Sequence, residues 1–127
     1  MGKPKKPIGL IDGKLYPCPN SPNCVSTQAA GGIHKMAPIP FSGSVSEAKN
    51  KMLKIVKTLK RIKIISDEDY YVHIEVRTAI FRFIDDVEFL FDENAKVIHF
   101  RSRARLGYSD MGVNRKRMEK MTYLFLN

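Results

Sequence analysis

From residue 44 onward the chain divides by the spacing of its apolar residues. Ala48, Met52, Ile55, Val56 and Leu59 recur at intervals of three and four, which puts them on one face of a helix. Just before them, Ser44-Val45-Ser46-Glu47 has capping-box spacing, in which the serine hydroxyl and the glutamate carboxylate each satisfy a backbone N–H left open by the first turn. The pattern predicts a helix over residues 45–60. Beyond it the period falls to two, through "RIKIIS", "YYVHIEVRT", "RFIDDVEFLFD" and "VIHFRSRARL", with "SDED", "TAIF" and "DENAK" as breaks. Strands joined by such short turns predict a four-strand antiparallel meander. A second helix is expected after "GYSDMG", with Met118, Met121, Leu124 and Phe125 as its apolar stripe.

Residues 1–43 have no such period. They are rich in Pro, Gly, Ser and Asn, clearest in "PCPNSPNC" and "AAGGIHK", so an irregular arm is expected, with one short extended piece near Met36–Phe41. Two amphipathic helices need an apolar surface, and one face of the sheet is available to supply it. The expected fold is therefore α+β: a two-layer antiparallel sheet of four to five strands, with two helices on one face. The arm of residues 1–43 forms one structural unit with the domain of residues 44–127.

Composition agrees with one domain around one core: 127 residues, 43% hydrophobic and 9% aromatic. No apolar run reaches the roughly 18 residues of a membrane span. The start, "MGKPKKPIGLIDGK", has positive charge without an apolar stretch of signal-peptide length. A formal charge of +9 favours acidic partners such as nucleic acid, an anionic membrane or a small anion. Its placement tempers that inference, because Lys49, Lys51, Lys54, Lys57, Lys60, Arg61 and Lys63 follow the first helix and Arg115, Lys116, Arg117 and Lys120 the second. Lys3, Lys5 and Lys6 lie in the leading tail. The plain reading is a solvated basic surface. Aromatic residues are not interleaved with these cations as a base-stacking platform requires, which argues against nucleic acid.

Two phrases stand apart from composition: "GLIDGKLYPCPNSPNCVSTQA" at 9–29 and "FRFIDDVEFLFDENAKVIHFRSRARLGYSDMGVNRKRMEKM" at 81–121. Both resemble the family catalogued as domain of unknown function 1499, and "YYVHIEVRT" resembles that family's third signature segment. The resemblance implies a small bacterial or plastid-lineage domain, often behind a signal or membrane segment, with no agreed activity. This chain departs from the pattern in its missing leader. It also has Arg103 where the family usually shows a small residue, between the arginines matching Arg101 and Arg105.

Cys18 and Cys24 are the only cysteines. A zinc site would need further ligands, and His34, His73 and His99 stand at no standard metal-ligand spacing from the pair. A disulfide would close a short Pro-rich loop, adding on the order of 2 kcal/mol in an oxidising compartment. Two reduced thiols packed in a Pro-fixed turn are the alternative. The export implied by the resemblance favours the disulfide, and slightly favours an exported over a cytoplasmic location. No cofactor is expected.

Strand alternation assigns Tyr70, Val72, Ile74, Val76, Phe83, Val87, Phe89, Phe91, Ile98, Phe100, Ala104 and Leu106 to the core face. The opposite face collects Tyr71, His73, Glu75, Arg77, Arg82, Ile84, Asp86, Glu88, Leu90, His99, Arg101, Arg103 and Arg105. One reading is a wet face with charges paired across the ladder. The other is a site, partly covered by the arm, in which His73, Arg82, Asp86, Glu88, His99, Arg101 and Arg105 hold a small anionic ligand or a partner segment; Arg's planar fork suits carboxylate and phosphate. On either reading His73 and His99 are expected on the solvent side. An enzyme using His73, His99 and Asp86, metal-assisted or acid/base, would need the histidines to converge. Asp85 falls on the core face, so either a β-bulge turns it outward or a cation reaches it from the second helix, with Asn114 and Arg115 as the nearest suppliers. Asp110 is the expected cap of that helix.

Overall fold

A computed structural model describes residues 8–107 and 109–127; Lys3, Lys5 and Lys6 of the leading tail, and Tyr108, lie outside the described residues. The arm contributes a small hairpin, β1 (Leu10–Ile11) with β2 (Lys14–Leu15), then β3 (Cys24–Ser26) and β4 (Ile39–Pro40). The helix α1 (Val45–Val56) follows, then the meander β5 (Ile62–Asp67), β6 (Tyr71–Arg77), β7 (Ile84–Asp92) and β8 (Val97–Ala104), and last the helix α2 (Val113–Leu126). The main sheet is antiparallel in the order β3-β8-β7-β6-β5, and β4 also pairs with β8. The fold class is α+β. Its sheet is wider than a four-strand meander because β3 lies against Arg101–Arg103 and β4 against Val97–Ile98, both along the outer side of β8.

The capping box closes at both ends: Glu47 N donates to Ser44 Oγ at 3.0 Å, and Ser44 N to Glu47 Oε1 at 2.9 Å. The helix stops at Val56, four residues short of the expected 60, and Arg61 in the left-handed region (φ 58°) turns the chain into β5. Met52 and Val56 of α1 and Met118, Met121 and Phe125 of α2 join Val72, Ile74, Val87, Phe89, Ile98 and Phe100 in one buried cluster. Both helices therefore cover the same sheet face. Tyr70 and Phe83 do not reach that core, at 48% and 49% exposure, because each sits one residue outside its strand, where alternation no longer sets direction. Leu124 is likewise 38% exposed. No helix among the described residues is long and apolar enough to cross a membrane.

Asp85 keeps its core-facing position. The ladder runs without interruption through Asp85 and Asp86 on both sides, so no bulge turns it out. A cation does reach it from α2, but it is Arg117, whose Nη2 donates to Asp85 Oδ2 at 2.7 Å. Arg115 and Arg117 point about 200° apart around the helix. Arg115 instead donates to the backbone oxygens of Ile33 and Lys35, holding the 3-10 turn Gly32–His34. Asn114 Oδ1 accepts from Arg117 Nη1 and from Ser102 Oγ, so it joins the cluster without touching Asp85. Asp110 holds the helix start through bonds from the backbones of Gly112 and Asn114, although Gly112 occupies the cap position itself.

Burial raises the Asp85 carboxyl above its ordinary range, with the Arg117 charge opposing. A raised folded-state value means that Asp85's contribution to stability is present at low pH and lost as pH rises through that value. Arg117→Met should therefore cost about 3 kcal/mol at neutral pH in urea unfolding. The deficit should shrink as pH falls through the raised folded-state value, where the lone carboxyl takes a proton. A deficit that is independent of pH would show that the guanidinium matters for packing alone.

Candidate functional site

The sheet face away from the helices carries the ionisable residues in strict cross-strand register: Glu75 opposite Asp86 opposite Arg103, and His73 opposite Glu88 opposite Arg101. The expectation of a solvent side is corrected here. Glu88 is 0% exposed, Arg101 2%, and His73, Asp86 and Arg105 4% each. The arm lies over them. Gly9 N donates to Glu88 Oε2 at 2.8 Å, and Arg101 Nη1 to Pro17 O at 3.0 Å. Next to Pro17, Cys18 forms a disulfide with Cys24 of β3, which ties the covering loop to the sheet edge.

Glu88 is the hub of one half of the network. Its Oε1 accepts from Arg101 Nε (3.0 Å) and Nη2 (2.7 Å), and its Oε2 accepts from Tyr71 OH at 2.6 Å as well as from Gly9. Burial and the Glu88 charge push the Tyr71 phenol up, so it stays a donor. Asp86 is the hub of the other half. Arg105 donates from Nε to Oδ2 (3.0 Å) and from Nη2 to Oδ1 (2.7 Å), and His73 Nε2–H donates to Oδ1 at 2.8 Å. Arg105 also reaches Glu75 Oε2 at 2.9 Å. Burial alone would raise the Asp86 carboxyl, but the bonds from His73 and Arg105 outweigh it and hold it below its ordinary range.

The two histidines do not converge. Their strands flank β7 and so lie about 10 Å apart. Beyond that spacing, His73 is committed to Asp86, while His99 Nδ1 pairs with Thr27 Oγ1 at 2.9 Å. Burial lowers the His99 imidazole below its usual value, although Asp92 opposes this. Among the described residues no group of three or more His, Cys, Asp or Glu is placed to hold a metal ion. Arg82 stands outside the network, exposed and at φ 59° in the loop before β7.

Arg103, noted in the sequence as a departure from the family pattern, was not among the expected site residues. It is 7% exposed, its Nε is buried without a partner, and among the described residues no ion pair holds it. The carboxylate in register with it, Asp86, is already occupied by Arg105 and His73. Burial lowers its pKa, the Arg101 charge adds to that, and Asp86 and Glu88 oppose. A countable signal existed, since Arg101 and Arg103 on one face of β8, with Arg105 just past its end, meet only two acids on that face of β7. A cleft of about 690 Å³ within the arm was also unforeseen; Lys14, Tyr16, Cys18, Ser26, Gln28 and His34 are among its lining residues. His34 Nδ1–H donates to Cys24 O at 2.9 Å, beside the disulfide.

Because Asp86 titrates below its unfolded value, its contribution to stability is present above pH of about 4 and is lost as pH falls through the lowered folded value. Acid unfolding followed by circular dichroism should be less steep in Asp86→Asn. An unchanged acid limb would place the sensitivity elsewhere. Glu88→Gln keeps the shape but leaves Arg101 buried against a neutral amide, and should cost about 3 kcal/mol while loosening the arm. Limited proteolysis reads the second effect, as cleavage within residues 9–17 ahead of the domain.

No curated protein and no solved structure matches the chain. A family model does, over residues 14–125, which takes in β2, β3 and all of the helix-meander-helix domain up to the last turn of α2. Both halves of the ion network and the disulfide lie inside the matched span. The chain belongs to the family described as protein of unknown function (DUF1499).

Proposed function

We propose that this chain is a non-enzymatic binding domain which accepts a small anionic group, a carboxylate or phosphate, at Arg103 on the arm-covered sheet face. The observation that carries this reading is the Arg103 Nε, buried with no hydrogen-bond partner. A buried charge without a partner is costly, and five polar neighbours here have been matched to one another while Arg103 has not. An anion that met its planar fork would gain charge-assisted hydrogen bonds in a site already stripped of most water. Arg101 and Arg105 then act at a distance, raising the positive field on either side, while Glu88, Asp86 and His73 hold them in place. The anion belongs either to a free small molecule or to an acidic side chain of a partner segment. The resemblance to the family pattern, with a small residue at this position, makes the anion site a property of this chain more than of its relatives.

Thermal shift with phosphate, sulfate, acetate and citrate tests the proposal. An anion at ten times its Kd adds about 1.4 kcal/mol to wild-type stability. Arg103→Gln should abolish the response while leaving the unliganded protein as stable as before or more so, since it removes an uncompensated charge. An anion response that survives Arg103→Gln would overturn the proposal. So would a loss of several kcal/mol in that variant without ligand, because it would make Arg103 a structural member of the network.

A further inference from the structure

We infer that the end of the sheet bearing the β6–β7 hairpin is a docking surface for an anionic lipid bilayer. The hairpin tip leaves Ile80 83% exposed, Phe81 72% and Phe83 49%. These are consecutive or nearly so, and the two phenylalanine rings stack with centroids 5.5 Å apart. The tip is held in shape by Thr78 N donating to Phe83 O at 2.8 Å and Phe83 N to Thr78 Oγ1 at 2.9 Å. β8 ends beside the start of β7, with Ala104 opposite Asp85, so the loop that follows it leaves at the same end and exposes Met111 at 87%. Apolar residues gathered on one projecting end, and absent from the core they could have joined, mark an interaction surface.

The charge around the tip decides the partner. A cleft of about 250 Å³ at the hairpin's base is lined by Arg61, Lys63, Arg77 and Arg82, with Glu75 as its one acid. The Glu75 carboxylate is already paired to Arg105. Lys60 and Lys120 line a second cleft on the far side of Arg61, where the neighbouring Arg117 is held by Asp85. Apolar side chains at the tip and cations set behind them match the layering of a bilayer surface, where acyl chains lie below the phosphates. A flat protein interface suits this geometry less, because such patches bury roughly 800 Å² per partner on a broad face and exclude charge from their centres. The surface does not include Arg103, and the inference stands independently of the anion site there.

Vesicle flotation with the full chain tests it, using phosphatidylcholine alone against phosphatidylcholine with phosphatidylserine. Binding is expected only with the anionic lipid, and it should weaken as salt rises, since screening acts over about 10 Å at 0.1 M. The Phe81→Ser/Phe83→Ser variant should bind about tenfold more weakly at unchanged Tm, as both side chains are exposed. Lys63→Glu/Arg82→Glu should lose the preference for phosphatidylserine, and Arg103→Gln should bind as wild type does. Equal binding to neutral vesicles, or full binding by the phenylalanine variant, would overturn the inference. So would displacement from vesicles by millimolar inorganic phosphate, which would reduce the cleft to an anion site. A single-stranded oligonucleotide bound as tightly as the vesicles, and lost in the same variants, would give the surface to nucleic acid instead.

Discussion

The carboxylate of Glu88 sits at the middle of the central strand with no exposed surface, and three separate parts of the chain end on it: Arg101 of β8, Tyr71 of β6 and the backbone of Gly9 in the arm. Its burial and the arm's position depend on each other. Without the arm, Glu88 and Arg101 would be a surface pair worth well under 1 kcal/mol, as such exposed pairs usually are. With it, both charges are desolvated, and the bonds from Tyr71, Gly9 and Arg101, plus the Pro17 carbonyl that takes the remaining face of Arg101, must compensate. The disulfide serves the same arrangement from the other side, since it fixes the residue after Pro17 to the strand that runs beside Arg101 and Arg103. The stretch of the arm that covers this face is thus held by a few directed polar contacts, while Val25, Ile39 and Phe41 of the same arm join the core on the other.

Asp85 and Asp86 show how strongly the two faces differ. They are neighbours in one strand, each at 2–4% exposure, yet their carboxyls shift in opposite directions. Asp85 points into an apolar layer where a single guanidinium nitrogen reaches it, so desolvation prevails. Asp86 points into a layer built of polar groups, where a fork from Arg105 and a ring N–H from His73 together outweigh the same penalty. The number of directed donors, not depth of burial, separates them. Each also fastens something: Asp85 docks α2 on the core face, and Asp86 joins β6 to the end of β8 on the other.

How much of this was legible follows from what alternation and helical periodicity can encode. The capping box, both helices, the meander and the faces of β6, β7 and β8 follow from side-chain period alone, which is why His73, Glu75, Asp86, Glu88, Arg101 and Arg105 come together as expected. Period says nothing about what covers a face. The buried state of the network was therefore hidden, because it depends on where an aperiodic segment lies, and β3 inside that segment is too short to show alternation. The choice of Arg117 over Arg115 lay in the phase of α2, which starts at Val113, later than a cap at Asp110 would have implied. Arg103 was hidden by a different cause: parity placed it correctly, but only the pairing geometry reveals that its cross-strand acid is used by others.

The formal charge of +9 can now be located. On the covered face Arg101, Arg103 and Arg105 are equalled in number by Glu75, Asp86 and Glu88, although Arg103 pairs with none of them, so that layer is close to neutral despite its density of ions. The excess must therefore sit on the outside, and the exposed lysines and arginines around the end of α1, the start of β5 and the β6–β7 hairpin carry much of it. These cations lie within reach of one another at one end of the sheet, where the same segments expose Ile80, Phe81 and Phe83. A surface that only needed solubility would gain nothing from placing its largest exposed apolar side chains among its cations. The coincidence of the two at one end is what distinguishes a directed field from an evenly solvated basic protein.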